Sequence, residues 1–315
     1  MTESERGEEP AIDATRAWAR IRLLAAVAIL VVLAVRLGAR PFLDGLAHTD
    51  ARALAVALVV TAATTACCAR RWSLVATGLG VGIPFRAAYR AYYRAQLLNA
   101  TLPGGVVGDL HRGFRHGQDA GAFGRGLRSV FWDRASGQAV QVALAVAVVP
   151  LLPGALRGWA LAAVVAVGAF ALLVVAAARK EAAAALGGTW PEVLLLSLLA
   201  ASGHVAVFLV AARTAGVTAS TPRLLALALA VLLASAVPVS IAGWGPREGA
   251  AAWAFGAAGL GAATGVEVAV VYGVMSLVAT LPGILVLRAP RPPRASDGVP
   301  VGKEEPAWAS GRTSS

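Results

Sequence analysis

The sequence predicts an all-α, polytopic membrane protein with about eight transmembrane helices and two re-entrant or broken helical segments forming a weak internal repeat. Three observations carry that prediction. The 315 residues are 58% hydrophobic and only 14% charged, with a mean hydropathy of +0.70, outside the range of a soluble domain of this length. Apolar runs of about 20 residues, the length that crosses a hydrocarbon layer of ~30 Å, recur along the chain. Two charged segments rich in glycine and proline interrupt these runs at corresponding places in the two halves.

Residues 1–20 form a polar tail. Its opening, "MTESERGEEPAID", is too long and too acidic for a signal-peptide n-region, so the first apolar run, Leu23 to Val35, is expected to remain as an anchor. Arg16, Arg20 and Arg22 bracket Trp18 ahead of that run, which suits a cytoplasmic start with an interfacial aromatic. Residues 21–288 form the membrane domain. Its second span runs from about Ala51 to Ala69 and ends at Arg70 and Arg71; later spans lie near Ser129–Pro150, Trp159–Ala178, Val193–Ala212, Leu224–Val237 and Val266–Leu287. "LPGALRGW" and "RTAGVTASTPR" make turns, because Gly and Pro punctuate helices. Residues 289–315 are a Pro/Arg-rich tail without apolar periodicity, expected to be disordered and cytoplasmic. Two cytoplasmic termini demand an even number of crossings, whereas about seven spans are evident. The glycine-broken pieces Trp72–Phe85 and Ala250–Ala263 are the candidates for the missing one.

The formal charge of +11 and sequence pI near 11.0 need only the anionic leaflet of a cell membrane as counter-ion, so nucleic acid is not an expected partner. Cys67 and Cys68 are adjacent and suit packing better than a disulfide. His48, His111, His116 and His204 are scattered without carboxylate or thiol partners at ligand offsets, so neither metal nor cofactor is expected. "GGVVGD" lacks the Lys-Ser/Thr of a P-loop, and no H-E-x-x-H or G-x-S-x-G occurs, so the sequence does not suggest an enzyme.

The first interruption reads "LLNATLPGGVVGDLHRGFRHG" and the second "ASAVPVSIAGWGPREGAAAW". Each has an aliphatic-Pro pair, ending in Pro103 or Pro238, with glycine five residues later at Gly108 or Gly243. An acid and an arginine follow in opposite order, Asp109 with Arg112 and then Arg247 with Glu248. Proline stops a helix, glycines such as Gly104, Gly105 and Gly245 let backbone amides approach a ligand, and the next helix begins with its positive dipole end at the same place. Guanidiniums suit phosphate, while the acids either pair with them or meet a cationic group. Asn99 precedes the first break. A third charged place, "SVFWDRASGQAVQVALA", holds Asp133 and Arg134, whose side chains diverge on a helix and need separate partners: Asp133 an arginine of a broken segment, Arg134 a carboxylate or the ligand. Gln138 and Gln141 follow. Arg86, Arg90 and Arg94 repeat at i, i+4, i+8 beside Tyr89, Tyr92 and Tyr93, which fits either an interfacial lipid contact or an ordinary cytoplasmic loop helix.

With "NATLPGGVVGDLHR", "SVFWDRASG" and "VPVSIAGWGPREGA", residues 20 to 288 resemble the lysylphosphatidylglycerol synthase transmembrane-region family of flippase-like membrane proteins. The resemblance implies about eight crossings with two re-entrant elements. It also implies family motif positions at Asp109, Arg112, Asp133, Arg134, Arg247 and Glu248. Relatives that add a cytoplasmic aminoacyl-transferase domain differ from this sequence, which is expected to act without one. Many members carry an arginine near the start of the last span, where this chain has Glu267 and Tyr272. The implied function is binding and flipping of an anionic, aminoacylated or polyprenyl-phosphate lipid headgroup between the broken helices. The alternatives are a non-enzymatic subunit delivering membrane lipid to a separate synthase or glycosyltransferase, and an intramembrane enzyme acting on a lipid phosphate.

Overall fold

The computed structural model describes residues 34–102, 104–151, 154–235 and 244–287, with a few helical positions between 24 and 32. Pro103, Pro238, Gly243, the N-terminal tail and the C-terminal tail lie outside the described residues. Within them the chain is helical and has no β-strand. In order, the helices are α1 (Arg40–His48), α2 (Ala51–Gly78), α3 (Phe85–Thr101), α4 (Val107–Asp119), α5 (Phe123–Val148), α6 (Gly154–Ala177), α7 (Arg179–Leu186), α8 (Trp190–Thr214), α9 (Thr221–Ala234), α10 (Pro246–Ala257), α11 (Ala262–Thr280) and α12 (Gly283–Leu287).

Local chemistry sets the ends. Asp50 caps α2 by accepting from the Ala53 amide at 2.7 Å. Pro84, in extended conformation, precedes α3, and Pro191 and Pro222 occupy first-turn positions of α8 and α9, where a missing N–H costs nothing. Four helices close in one way: α2, α4, α8 and α10 each run into a glycine at positive φ (Gly80, Gly121, Gly216, Gly259). The amide after that glycine reaches back to a last-turn carbonyl, as from Val81 to Ala76 and from Val217 to Ala212.

Four helical stretches among the described residues are long and apolar enough to cross a membrane: Ala51–Gly78, Phe123–Leu151, Arg179–Thr214 and Ala262–Val286. The eight crossings expected refer to the whole chain, and the first of them, Leu23 to Val35, lies partly outside the described residues. At 14 residues α9 reaches only ~21 Å, short of the ~30 Å hydrocarbon layer. Two sequence boundaries also move. Trp72–Gly78 is the end of α2, not a separate broken piece, and Ala250–Ala263 spans most of α10, its glycine stop and the first turn of α11. The first charged segment falls between α3 and α4; of the second, residues 236–243 lie outside the described residues, and Trp244 and Gly245 lead into α10.

The longest helices pack through small residues, as expected where lipid supplies no hydrophobic drive between helices. α2 lies along α8, with α5, α9 and α11 around this pair and α10 on α11. A core of Ala57, Phe208, Leu227, Phe255 and Met275 joins α2, α8, α9, α10 and α11. Close approaches need glycine: a methyl on Gly108 would sit 2.0 Å from the Ala95 carbonyl oxygen, and one on Gly265 2.2 Å from that of Ala251. Large apolar side chains point outward instead, Val59, Leu172 and Leu285 among them, as on a lipid-facing surface.

Candidate functional site

The first interruption is built by side chains crossing it. α3 ends at Leu102 in extended conformation, and Gly104 and Gly105, both at positive φ, turn the chain into α4. Asn99 on α3 spans the gap: its Oδ1 accepts from the Gly108 amide (2.7 Å) and its Nδ2 donates to Asp109 Oδ2 (2.9 Å). The amide expected to meet a ligand at Gly108 is therefore already satisfied.

From Asp109 a chain of charges runs inward. Arg112, one turn on along α4, donates Nε to Asp109 Oδ1 (2.9 Å) and Nη2 to Asp133 Oδ2 (2.7 Å) on α5. Tyr92 from α3 also donates to that Asp133 oxygen. The other oxygen accepts from Arg71 Nε on α2 (2.8 Å), and Arg71 Nη1 donates to Ser197 on α8 (3.1 Å). Arg134 closes the outer end, with Nη1 2.6 Å from Asp109 Oδ2. Five helices thus meet on three guanidiniums and two carboxylates. Buried charges survive only when paired and hydrogen-bonded, and Asp133, 0% exposed, is satisfied on both oxygens. Arg112 lies 4.0 Å from the Tyr92 ring centroid and 4.7 Å from that of Trp72, contacts that offset the lack of a partner for its Nη1. Gly137 makes room for Arg71, since a methyl there would fall 2.7 Å from Arg71 Nη1. Burial opposes the charged form of Asp109, yet Arg112 and Arg134 outweigh it and hold its pKa below the ordinary carboxylate value.

At the second charged segment the helix α10 begins at Pro246. Gly245, at φ 116°, starts α10, and its amide donates to Glu248 Oε2 (2.7 Å), a cap that again consumes an amide expected to be free. Arg247 holds Glu248 Oε1 through Nε (2.9 Å) and Nη2 (2.5 Å). Its guanidinium packs near the rings of Trp244 and Tyr272 and rests on Gly273, where a methyl would fall 2.4 Å from Nη2.

A cavity of about 270 Å³ lies between the interruptions, with Asn99 and Gly105 on one wall and Trp244, Pro246 and Arg247 on the other. A second, of about 200 Å³, shares Gln96, Asn99 and His204 with it and reaches Arg71, Asp109 and Arg134. A third, of about 190 Å³, adjoins both at His204 and is lined by Gln138 and Gln141. Asn99, Gly105, Asp109, Arg134 and Arg247 therefore face the cavity system. Arg112, Asp133 and Glu248 stand behind its walls as supports, which corrects the expectation that Arg112 offers its charge directly to a ligand. Gly104 and Gly108 shape the turn, and Gly245 starts α10. Arg86 and Arg90 are exposed on α3, away from this site; Arg94 is half-buried, and burial followed by the charge of Arg115 lowers its pKa. Among the described residues no three His, Cys, Asp or Glu side chains converge as metal ligands would.

Sequence reasoning missed Arg71, Tyr92, Gln96, Ser197 and the central place of His204. Only Arg71 carried a signal: a second arginine beside Arg70, in a helix whose apolar run had not met a glycine. Arg70 pairs with Glu192 at the exposed surface, whereas Arg71, one position on, turns inward.

No curated protein is found to match the chain. Residues 20–283 match the family described as the lysylphosphatidylglycerol synthase TM region, which spans both interruptions and every charged residue of the site. The chain is a membrane protein of the lysylphosphatidylglycerol synthase TM-region family.

Proposed function

We propose that this protein binds the anionic headgroup of a membrane lipid in the cavity between its two interruptions and moves it across the bilayer while the acyl chains stay in lipid. One observation carries the reading: guanidiniums from both halves, Arg134 and Arg71 on one side and Arg247 on the other, line adjoining cavities inside a helical membrane domain. Guanidinium donors match phosphate oxygens in pairs, and a charge at membrane depth is tolerated where it lines such a cavity. The buried Arg112–Asp133 pair acts as a scaffold that holds Asp109, and through it Arg134, in place. The role is binding and translocation, without chemistry on the lipid.

The test is headgroup transfer in liposomes reconstituted with the purified protein. Losing one charge-assisted contact of ~1.5–3 kcal/mol predicts that Arg134→Ala and Arg247→Ala each slow transfer by about tenfold or more. Wild-type rates in both variants would count against the proposal.

A further inference from the structure

We infer that the outer face of the α3–α4 pair carries a second lipid site, separate from the cavity, where Arg94, His111 and Arg115 hold the phosphate of an anionic lipid of the surrounding bilayer.

The two helices run antiparallel, with Asn99 opposite Gly108 and Tyr92 opposite Arg112. That register sets Arg94 beside His111, and Arg90 beside Arg115. Asp109 and Arg112 occupy the inner side of α4. At ~100° per residue, His111 and Arg115 emerge one turn apart at the edge where α4 meets α3. All three cavity-independent side chains, Arg94, His111 and Arg115, are half-buried there. Burial first, and then the charges of Arg94 and Arg115, pull the His111 pKa below its ordinary value, and Arg115 acts in the same sense on Arg94.

What sets this group apart is the want of an acid. Each cavity arginine, Arg71, Arg134 and Arg247, has a carboxylate partner. Among the described residues Arg94, His111 and Arg115 have neither an ion pair nor a hydrogen bond, and Asp119, whose charge acts on Arg94, forms no ion pair with it. Arg94 Nε and His111 Nδ1 are sealed from solvent, so the donors left for a ligand are the Arg94 Nη groups, His111 Nε2 and the Arg115 guanidinium. Cations held together without a counter-charge repel one another, and a phosphate between them relieves that repulsion while accepting paired hydrogen bonds.

The neighbouring surface selects a lipid over a free anion. Val107, Leu110 and Phe114 form one exposed stripe on α4 directly beside the basic edge. On the other side of α3, α12 packs through Gly283 against the Tyr93 carbonyl and presents Leu285, 74% exposed. A phosphate at the arginines therefore has apolar surface on both flanks for acyl chains, and basic pockets between membrane helices suit anionic headgroups.

The experiment follows thermal unfolding of the full-length protein in nanodiscs of phosphatidylcholine, with and without added phosphatidylglycerol. Phosphatidylglycerol should raise the melting temperature by about 3 °C or more, since a ligand that binds only the folded state stabilises it. Arg94→Gln combined with Arg115→Gln should lose most of that rise, yet melt no lower than the unaltered protein in pure phosphatidylcholine, because a like-charge contact is gone. Arg86→Gln combined with Arg125→Gln, which removes two exposed cations elsewhere, should keep the rise, and so should the cavity variant Arg134→Ala. The site is overturned by no rise in the unaltered protein, by a rise that survives Arg94→Gln with Arg115→Gln, or by an equal loss in Arg86→Gln with Arg125→Gln. A rise lost with Arg134→Ala alone would assign the effect to the cavity, and an equal rise from glycerol phosphate in pure phosphatidylcholine would assign it to a soluble anion; either overturns the second lipid site. A drop of several degrees for the Arg94, Arg115 variant in pure phosphatidylcholine would make these residues structural and also overturn it. If that variant fails to fold, Arg115→Gln alone decides by the same two readings. Headgroup transfer through the cavity is measured separately, so neither reading falls with the other.

Discussion

Asp133 joins Arg71 and Arg112 on one carboxylate with no exposed surface, so removing it leaves two buried cations facing each other. Breaking a buried pair on one side costs ~3–5 kcal/mol, and Asp133→Ala should lower stability by that amount in detergent-solubilised protein followed by thermal or urea unfolding. A loss below ~1 kcal/mol would show that the charge is not held as described. Arg134 is the contrast. Its side chain is 39% exposed, so Arg134→Ala should cost no more than ~1 kcal/mol of stability although it strips a cation from the cavity wall. Position and exposure, not residue type, separate a scaffold arginine from a cavity one. Arg70 and Arg71 make the same point: they are neighbours in sequence, yet about 100° apart around α2, and only the second meets a buried acid.

Between α3 and α4 the break survives because Gly108 lets the two helices touch. Its added methyl would meet the Ala95 carbonyl oxygen at 2.0 Å, and that oxygen is backbone and cannot turn aside. Gly108→Ala should therefore lift α4 from α3, part Gly108 from Asn99, and destabilise by ~1–3 kcal/mol or more. Gly124→Ala in α5, where the nearest atom is the end of Arg128 at 3.9 Å, should be neutral or slightly stabilising. Comparing the two melting temperatures checks the packing directly; equal values would mean that the helices are not pressed together at Gly108. The helix ends were easier to foresee than this contact. Glycine and proline mark stops locally, so the turn after α8 falls at Gly216 within "RTAGVTASTPR", whereas the stops at Gly121 and Gly259 were not read from the sequence. The end of α2 was misplaced for an electrostatic reason: an arginine pair reads as a membrane border, and nothing local reveals that Arg71 has Asp133 to meet, 62 positions away.

For the whole molecule, the cavity between the halves is the feature the proposed function needs. Ala100 on α3 and Ser276 on α11 line it from two elements. Cysteines at both positions, in a background with Cys67 and Cys68 replaced, should be joined by a short bifunctional thiol reagent, and that bridge should stop headgroup transfer while each single variant continues. A bridged protein that transfers at the unbridged rate would remove the cavity from the pathway. By itself the sequence determined the membrane class, the helical content, the break between α3 and α4 and most of the charged residues gathered there, because composition, apolar run length and Gly/Pro placement are local properties. Only the tertiary structure decided which charges support and which face the cavity, that the capping amides at Gly108 and Gly245 are already used, and that four carboxamides gather around His204. Those outcomes depend on which helix faces lie opposite each other, and the pairing free energy of buried charges is set by partners far away along the chain.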